Sequence, residues 1–401
     1  MQSLKKLYRI GKGPSSSHTM GPHKAALQFL RKHPDANHYS VTLYGSLAAT
    51  GKGHLTNKVI EEVFQNYIIE IVWKPEIVLP KHPNALNFEA YDSSNNLIES
   101  WTAYSVGGGA IIDDNTNLEK ESVYPLSKID EILKWCHTNG KQLWEYVDIH
   151  EGPEIWDYLD EIWSVMQKSI KRGIETEGTL EGGLKLPRKA AHYYQKSQNF
   201  SGQIRRRGML FAYALAVSEE NAAGGEIVTA PTCGASGTLP AVLKYHSQFN
   251  KQTRKNILKA LATAGLFGNA VKHNASISGA EVGCQGEVGT GCAMASAATT
   301  RLFGGSIHQI EYAAEIAMEH HLGLTCDPLL GLVQIPCIER NVFAAARALN
   351  HGNFALLSDG RHRISFDQVV DSMNATGKDL SSFYKETSKG GLALLKGLAE
   401  E

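Results

Sequence analysis

The stretches SGAEVGCQGEVGTGCAMA at 278–295 and LGLTCDPLLGLVQIPCIERN at 322–341 hold four of the six cysteines of the chain, Cys284, Cys292, Cys326 and Cys337. Cys292 lies in a run with helical spacing beside Ala293-Met294-Ala295 and reads as a packed thiol, since a free cysteine behaves as a small hydrophobe. Cys284, Cys326 and Cys337 each stand at a break in periodicity, among Gly or Pro, where turns aim a side chain inward. Three thiolates so placed suit a metal. Zinc would add a histidine and close a tetrahedron; His320 and His321 are near, although no C-x2-C pair is present. An iron–sulfur cluster normally takes four cysteines, and three would leave one iron open as a Lewis acid. Spacing alone leaves the choice open.

Helical patterning surrounds these stretches. Apolar positions recur at three- and four-residue spacing over 129–137, 155–172, 190–198, 208–217, 239–246, 257–272, 293–302, 307–320 and 342–349. Upstream of residue 127 the pattern differs. Segments 41–44, 67–72, 85–90 and 98–106 alternate or carry β-branched residues and read as strands. Segment 57–64 reads as a helix, 45–57 as a Gly-rich loop holding His54, and Gly107-Gly108-Gly109 as a tight bend or close backbone approach. The expected fold is α+β. A small N-terminal α+β domain, 1–126, precedes a larger all-helical domain, 127–401, whose Gly- and Cys-rich loops meet at one site.

The totals narrow the class. A chain of 401 residues suits two cores. A formal net charge of −1 gives no field for nucleic acid or anionic lipid, and the run Arg205-Arg206-Arg207 reads as a solvated helix face. No segment approaches the roughly 18 apolar residues of a membrane span, and MQSLKKLYRI lacks the apolar stretch of a signal peptide. Six cysteines are too sparse for a disulfide scaffold, so reduced thiols in a cytoplasm are expected. Cys136, on an apolar helix face, and Cys233, in a loop, read as packed.

Near the N-terminus GKGPSSSHTMGPHKAALQFL, 11–30, sets Ser15, Ser16, Ser17, His18 and Thr19 before an amphipathic pattern. A helix start needs one capping hydroxyl; four exceed that need and offer a site for a small carboxylate or phosphate. His54 sits in a Gly-rich turn without an apolar role, and an imidazole suits proton abstraction near neutral pH.

The segments GPSSSHTMGP, YGSLAATGKGH, SVGGG, NAAGGEIVTAPTCGASGTLPAVL, NASISGAEVGCQGEVG, MEHHLGLTCDPLLGLVQIPCIERN and KETSKGGLA resemble, from end to end, the iron–sulfur-dependent L-serine dehydratases (L-serine ammonia-lyases) of bacteria in their single-chain form. The resemblance implies a [4Fe–4S] cluster on Cys284, Cys326 and Cys337, L-serine as substrate, pyruvate and ammonium as products, and a homodimer. It maps the proton-handling histidines onto His54 and His82, with His18 a third participant. Ser15, Ser16, Ser17 and Thr19 become candidates for the substrate carboxylate. Asn274 and Ser276 either line the cluster pocket or satisfy buried backbone groups. Some relatives end in a cysteine that ligates the fourth iron; this sequence has no Cys after Cys337, so water, Glu400, Glu401 or an exogenous molecule would take that place. The segment HPNAL at 82–86 departs from the HPNGM or HENGM of many relatives, and the chain between His54 and His82 is shorter than theirs.

Three other readings compete. A pyridoxal-phosphate dehydratase would need a Schiff-base lysine, and none stands in a compelling setting. A non-enzymatic serine or oxygen sensor would need an output module. An iron–sulfur hydro-lyase on a hydroxy acid would need a further carboxylate clamp in place of an ammonium partner.

Overall fold

The computed structural model describes residues 1–116, 122–387 and 389–395. Its first residues are part of the helical body. Met1, Leu4, Leu7 and Tyr8 are buried in the larger core, the Tyr8 hydroxyl donates to the Leu261 carbonyl at 2.9 Å, and β1 (Ile10–Lys12) pairs antiparallel with β7 (Glu226–Val228). The chain then leaves for the sheet and returns. The two units are thereby stitched together at the start of the chain as well as at the crossing near residue 124.

Alternating burial builds the smaller unit. In β2 (His38–Tyr44), Tyr39, Val41 and Leu43 are buried on one face. It lies beside β3 (Ile68–Lys74), parallel, and β4 (Ala85–Tyr91), antiparallel; β5 (Leu97–Ser105) and β6 (Ile111–Ile112) extend the sheet in the order β3-β2-β4-β5-β6. The parallel β2–β3 pair demands a crossover, and α2 (Gly45–Thr50) and α3 (Thr56–Val63) provide it. Ala25, Ala26 and Phe29 of α1 (Gly21–Lys32) and Ile60 of α3 pack onto the sheet face with Phe88 and Ala103.

Segment 45–57, expected as loop, opens with α2. Leu47, Ala48 and Ala49 are good helix formers, and Gly51 and Gly53 follow them. Gly45 has φ +50, and a Cβ there would meet the Pro83 carbonyl oxygen at 2.5 Å, so glycine is required.

The larger region is mostly helical, β7 being its strand, and the fold is α+β. At its centre lies α12 (Thr290–Leu302), packed by α9 (Thr238–Phe249), α10 (Arg254–Asn274), α13 (Ile307–Glu319) and α14 (Cys337–Leu356). Gly291, Ala293, Ala295, Ala297 and Ala298 let those neighbours approach closely. The hydroxyls of Ser296 and Thr300 donate to carbonyls four residues earlier, at 2.8 and 2.9 Å, so a buried polar helix stays satisfied. The remaining long helices are α4 (Ile129–Asn139), α5 (Leu143–Glu151), α6 (Glu154–Glu175), α7 (Ala190–Gln198), α8 (Gly202–Ala222) and α15 (Phe366–Asp379), and the short α11 is Gly279–Val282. Periodicity misses α5 and α15, which capping boxes announce: Gln142 with Glu145, and Ser365 with Gln368. Arg205–Arg207 are exposed on α8, as a solvated face requires. No helix among the described residues is long and apolar enough to cross a membrane.

Two outcomes follow. Leu4→Ala should lower the unfolding free energy by about 2–5 kcal/mol in denaturant titrations, whereas Ile68→Ala, at an edge position 69% exposed, should change it by about 0.5 kcal/mol or less. A second concerns His362, whose Nε2 lies 2.9 Å from Glu311 Oε2. The hydrogen bond to Glu311 raises the imidazole from 6.5 to about 9. Its folded value exceeds its unfolded one, so its stabilisation is complete below about 6.5 and lost as pH rises through about 9. The melting temperature should fall over that window, and less steeply in His362→Gln.

Candidate active site

Three separate breaks in the helical body deliver the thiols. Cys284 follows α11 and Gly283, whose φ of +72 and contact with the Leu324 carbonyl oxygen (2.8 Å from a built Cβ) admit only glycine. Cys326 is held by the chain's C-terminal segment: its N–H donates to the Tyr384 carbonyl at 2.8 Å, and its carbonyl accepts from the Glu386 N–H at 2.7 Å. Cys337 is the first residue of α14. All three line one small cavity together with Pro14, Ser15, His54, Gly234, Glu287 and Glu386.

The cavity is acidic and buried. The Sγ atoms of Cys284 and Cys326 and a carboxylate oxygen of Glu287 lie within 4.8 Å of one another. A hydrogen bond from Cys326, helped by the Arg340 guanidinium and opposed by burial, lowers the Cys284 thiol to about 6. The same hydrogen bond and burial push Cys326 up, and burial pushes up Cys337 and Glu287. Arg340 also donates to the Thr325 carbonyl at 2.7 Å, which anchors it beside the thiols. At Gly279 a Cβ would come 3.2 Å from Cys326 Sγ and 2.7 Å from Glu287, so a hydrogen side chain there keeps the cradle open. Soft, buried sulfur donors converging on one space fit a thiophilic metal centre. The histidines that a zinc site would borrow are elsewhere: His321 Nδ1 donates to Ala317 O at 2.6 Å, its Nε2 faces Arg347, and His320 lines no part of the cavity.

Hydrogen bonds assign the proton on each imidazole. His54 Nδ1 donates to the Thr50 carbonyl at 3.0 Å, so its lone pair is on Nε2, which lies 3.6 Å from Glu386 Oε1. Burial lowers this imidazole to about 4 and keeps it neutral. The Ser46 hydroxyl donates to the Glu386 carbonyl at 2.8 Å, which leaves it to accept from His18 Nε2 at 3.1 Å. His18 Nδ1 then carries a lone pair, accepts from Ser17 at 2.9 Å, and lies 3.5 Å from Glu386 Oε1. Burial, with His54 nearby, holds His18 well below the usual range. His82 is arranged the other way. Its Nδ1 accepts from the Asn84 N–H at 3.0 Å, so Nε2 carries the proton, 3.6 Å from Glu281 Oε1. It does not line the cysteine cavity.

Of the hydroxyl residues, Ser15 lines the cavity and its Oγ accepts from the His18 N–H at 3.1 Å. Ser17 serves His18, and Thr19 donates to the His54 carbonyl at 2.7 Å, clasping the two histidine loops together. Ser16 is buried in the same turn. Asn274 and Ser276 are not brought to the cavity. Asn274 donates to the carbonyls of Ser127 and Ala270 at 2.8 and 3.0 Å, the backbone-satisfying alternative. Ser276 donates to Glu281, the partner of His82. Glu400 and Glu401 lie outside the described residues.

Residue-level reading assigned no role to Glu287, Arg340, Glu386, Ser46 or Glu281. The first three lie within QGEVG, CIERN and KETSKGG, so the motifs held them, but a charged residue in a loop has no periodic signal. Cys136, Cys233 and Cys292 are buried and do not line the cavity, Cys292 lying against the Ala344 carbonyl at 3.3 Å and Cys233 against Met20 Sδ at 3.3 Å.

Residues 82–393 match the family model for the serine dehydratase alpha chain, and residues 3–64 that for the serine dehydratase beta chain. The L-serine dehydratase of Haemophilus influenzae is 41% identical over 450 aligned residues, covering 98% of this chain and 99% of the relative. That of Streptomyces coelicolor is 41% identical, covering 97% of each, and that of Helicobacter pylori 37%, covering 98% of each. Thiols, histidines and chain-wide similarity thus converge on one conclusion, that this chain belongs to the serine dehydratase family and joins its beta-chain and alpha-chain regions in one polypeptide.

Proposed function

We propose that the protein is an L-serine ammonia-lyase, a lyase that converts L-serine to pyruvate and ammonium. The observation that carries this reading is a buried imidazole, His54, whose free Nε2 lone pair faces a cavity shared with three thiols. Cys284, Cys326 and Cys337 would hold a [4Fe–4S] cluster, which when bound supplies an open, Lewis-acidic iron that makes the substrate hydroxyl a better leaving group.

The chain's own groups do the rest. Residues within 1–126 bring the histidines and hydroxyls, and residues within 127–401 bring the thiols, so the substrate bridges two units. Ser15, with the turn of Ser16, Ser17 and Thr19, receives the carboxylate. His54 Nε2 takes the Cα proton; its Nδ1–H stays on the Thr50 carbonyl, which fixes the ring's direction and supports the imidazolium that forms. Hydroxide leaves Cβ as the Cα–H electrons become the double bond, giving 2-aminoacrylate. That enamine tautomerises to the imine, and water adds to release pyruvate and ammonium. His82, whose Nε2 carries a proton, is suited to donating rather than abstracting. His18 orders the loop through Ser17 and Ser46. Burial of the cavity keeps water from the base until substrate is seated. A cytoplasmic homodimer is inferred from the same family resemblance.

Anaerobically purified protein should be brown and convert L-serine to pyruvate, with D-serine and L-threonine as comparison substrates, and should lose colour and activity in air; full activity in colourless, metal-free protein contradicts the cluster assignment. His54→Asn should lower kcat by about 10²–10⁴-fold with iron content unchanged. Cys326→Ser should abolish iron retention while Cys136→Ser keeps it, both read by iron analysis and visible absorption.

A further inference from the structure

We propose that Glu386 is the residue that recognises the α-ammonium of the substrate, and so confines the site to 2-amino acids. This rests on the ammonia-lyase reading of the same cavity and adds to it the group that selects the substrate class.

Glu386 is 5% exposed and lines the cavity. Its Oε1 lies 3.5 Å from His18 Nδ1 and 3.6 Å from His54 Nε2. Both nitrogens are the lone-pair members of their rings, because Ser46 and the Thr50 carbonyl take the other ring protons. The three atoms lie within 4.8 Å of each other; His18 Nδ1 already accepts from Ser17, which leaves His54 Nε2 and the Glu386 carboxyl without a donor among the described residues. The second carboxylate oxygen, Oε2, is buried and has no hydrogen-bond partner among the described residues. Buried acceptors without donors are costly; burial and the Cys284 thiolate push the Glu386 carboxyl up to about 8, which relieves that cost in part, and an arriving cation relieves it without a proton on the carboxyl.

A compact cationic head with several N–H bonds answers that need better than any other group on L-serine. An ammonium seated against Glu386 donates to its carboxyl, including the unpartnered Oε2, and leaves the His54 Nε2 lone pair for the Cα proton. The placement also serves the chemistry. Cα is one bond from the ammonium nitrogen, and Glu386 Oε1 is next to His54 Nε2, so an ammonium held by Glu386 carries the Cα proton to the base. The side chain is fixed from behind. Glu386 keeps a φ of +58, unusual for a residue with a side chain, while its N–H donates to Cys326 O and its carbonyl accepts from Ser46.

The same geometry argues against a hydroxy acid. A hydroxyl in place of the ammonium brings one donor and no charge to the Glu386 carboxyl. An additional carboxylate would enter a cavity that already holds Glu287 and Glu386.

The test compares L-alanine with propanoate on the anaerobic holoenzyme by ligand-observed NMR; the two differ in the ammonium alone, and neither has a leaving group. Wild type should prefer L-alanine by about 10-fold or more, as a charged hydrogen bond requires. Glu386→Gln should erase the preference and leave propanoate binding unchanged, with iron content and visible spectrum as in wild type. A retained preference in iron-replete Glu386→Gln, or equal loss of both ligands, overturns the proposal. If that variant sheds iron, Glu386→Asp, which keeps a carboxyl, replaces it and should retain a preference for L-alanine; no preference there, or none in wild type, overturns it. So does a divalent metal ion in excess of the cluster that disappears with Glu386. A wild-type holoenzyme inert towards L-serine contradicts the ammonia-lyase reading itself, which the binding comparison does not measure.

Discussion

Cys284, Cys326, Cys337, Glu287 and Glu386 crowd five acidic groups into one buried cavity, with the Arg340 guanidinium beside them. That crowding is the constraint on which the rest of the site depends. Burial disfavours charge, so one thiol is eased towards its anion by a neighbour's hydrogen bond while the others are pushed towards their neutral forms. Such a set is costly to assemble for stability alone, and in the proposed reading cations resolve it: a metal centre on the sulfurs, an ammonium on the carboxyl.

The fold supplies this site by lacing its two units together. Residues before β1 enter the helical core, and the C-terminal segment returns across the junction, with Glu386 bonded through its backbone to Cys326 on one side and Ser46 on the other. Leu392 N–H caps Asp327 at 2.8 Å, and Lys389 lies 3.3 Å from Glu76, so the segment touches both units beyond the cavity as well. The histidine loops and the thiol loops are therefore held in register by main-chain bonds, and positioning does not depend on side-chain packing alone. The Ser17 hydroxyl orients the His18 imidazole and the Thr19 hydroxyl holds the His54 carbonyl, which explains why the serine-rich turn has more hydroxyls than a helix cap needs.

Much of this was legible in the amino-acid pattern. Helices with an apolar stripe declared themselves through spacing, and Cys284, Cys326, Cys337 and His54 through their place at breaks in it. Other features left no local trace. The β1–β7 pair joins residues more than two hundred positions apart and has only three residues a side. Glu386, Glu287 and Arg340 acquire meaning from being buried together, which no window of sequence reveals. Asn274, read as a site candidate, ends α10 by satisfying carbonyls, and Ser276 serves Glu281; proximity in sequence to Cys284 did not carry either side chain to the cavity. His82 and His54 look alike in sequence, and only the hydrogen bonds to their other ring nitrogens separate a donor from a base.

The central claim, that three thiols hold a cluster whose open iron meets L-serine beside His54, is tested most directly by Mössbauer spectroscopy of anaerobic protein reconstituted with 57Fe. The account predicts the signature of a [4Fe–4S] cluster in which one iron of the four changes its parameters when L-serine is added and three do not. Four irons that ignore L-serine, or no cluster signal from protein that dehydrates L-serine at full rate, would contradict it.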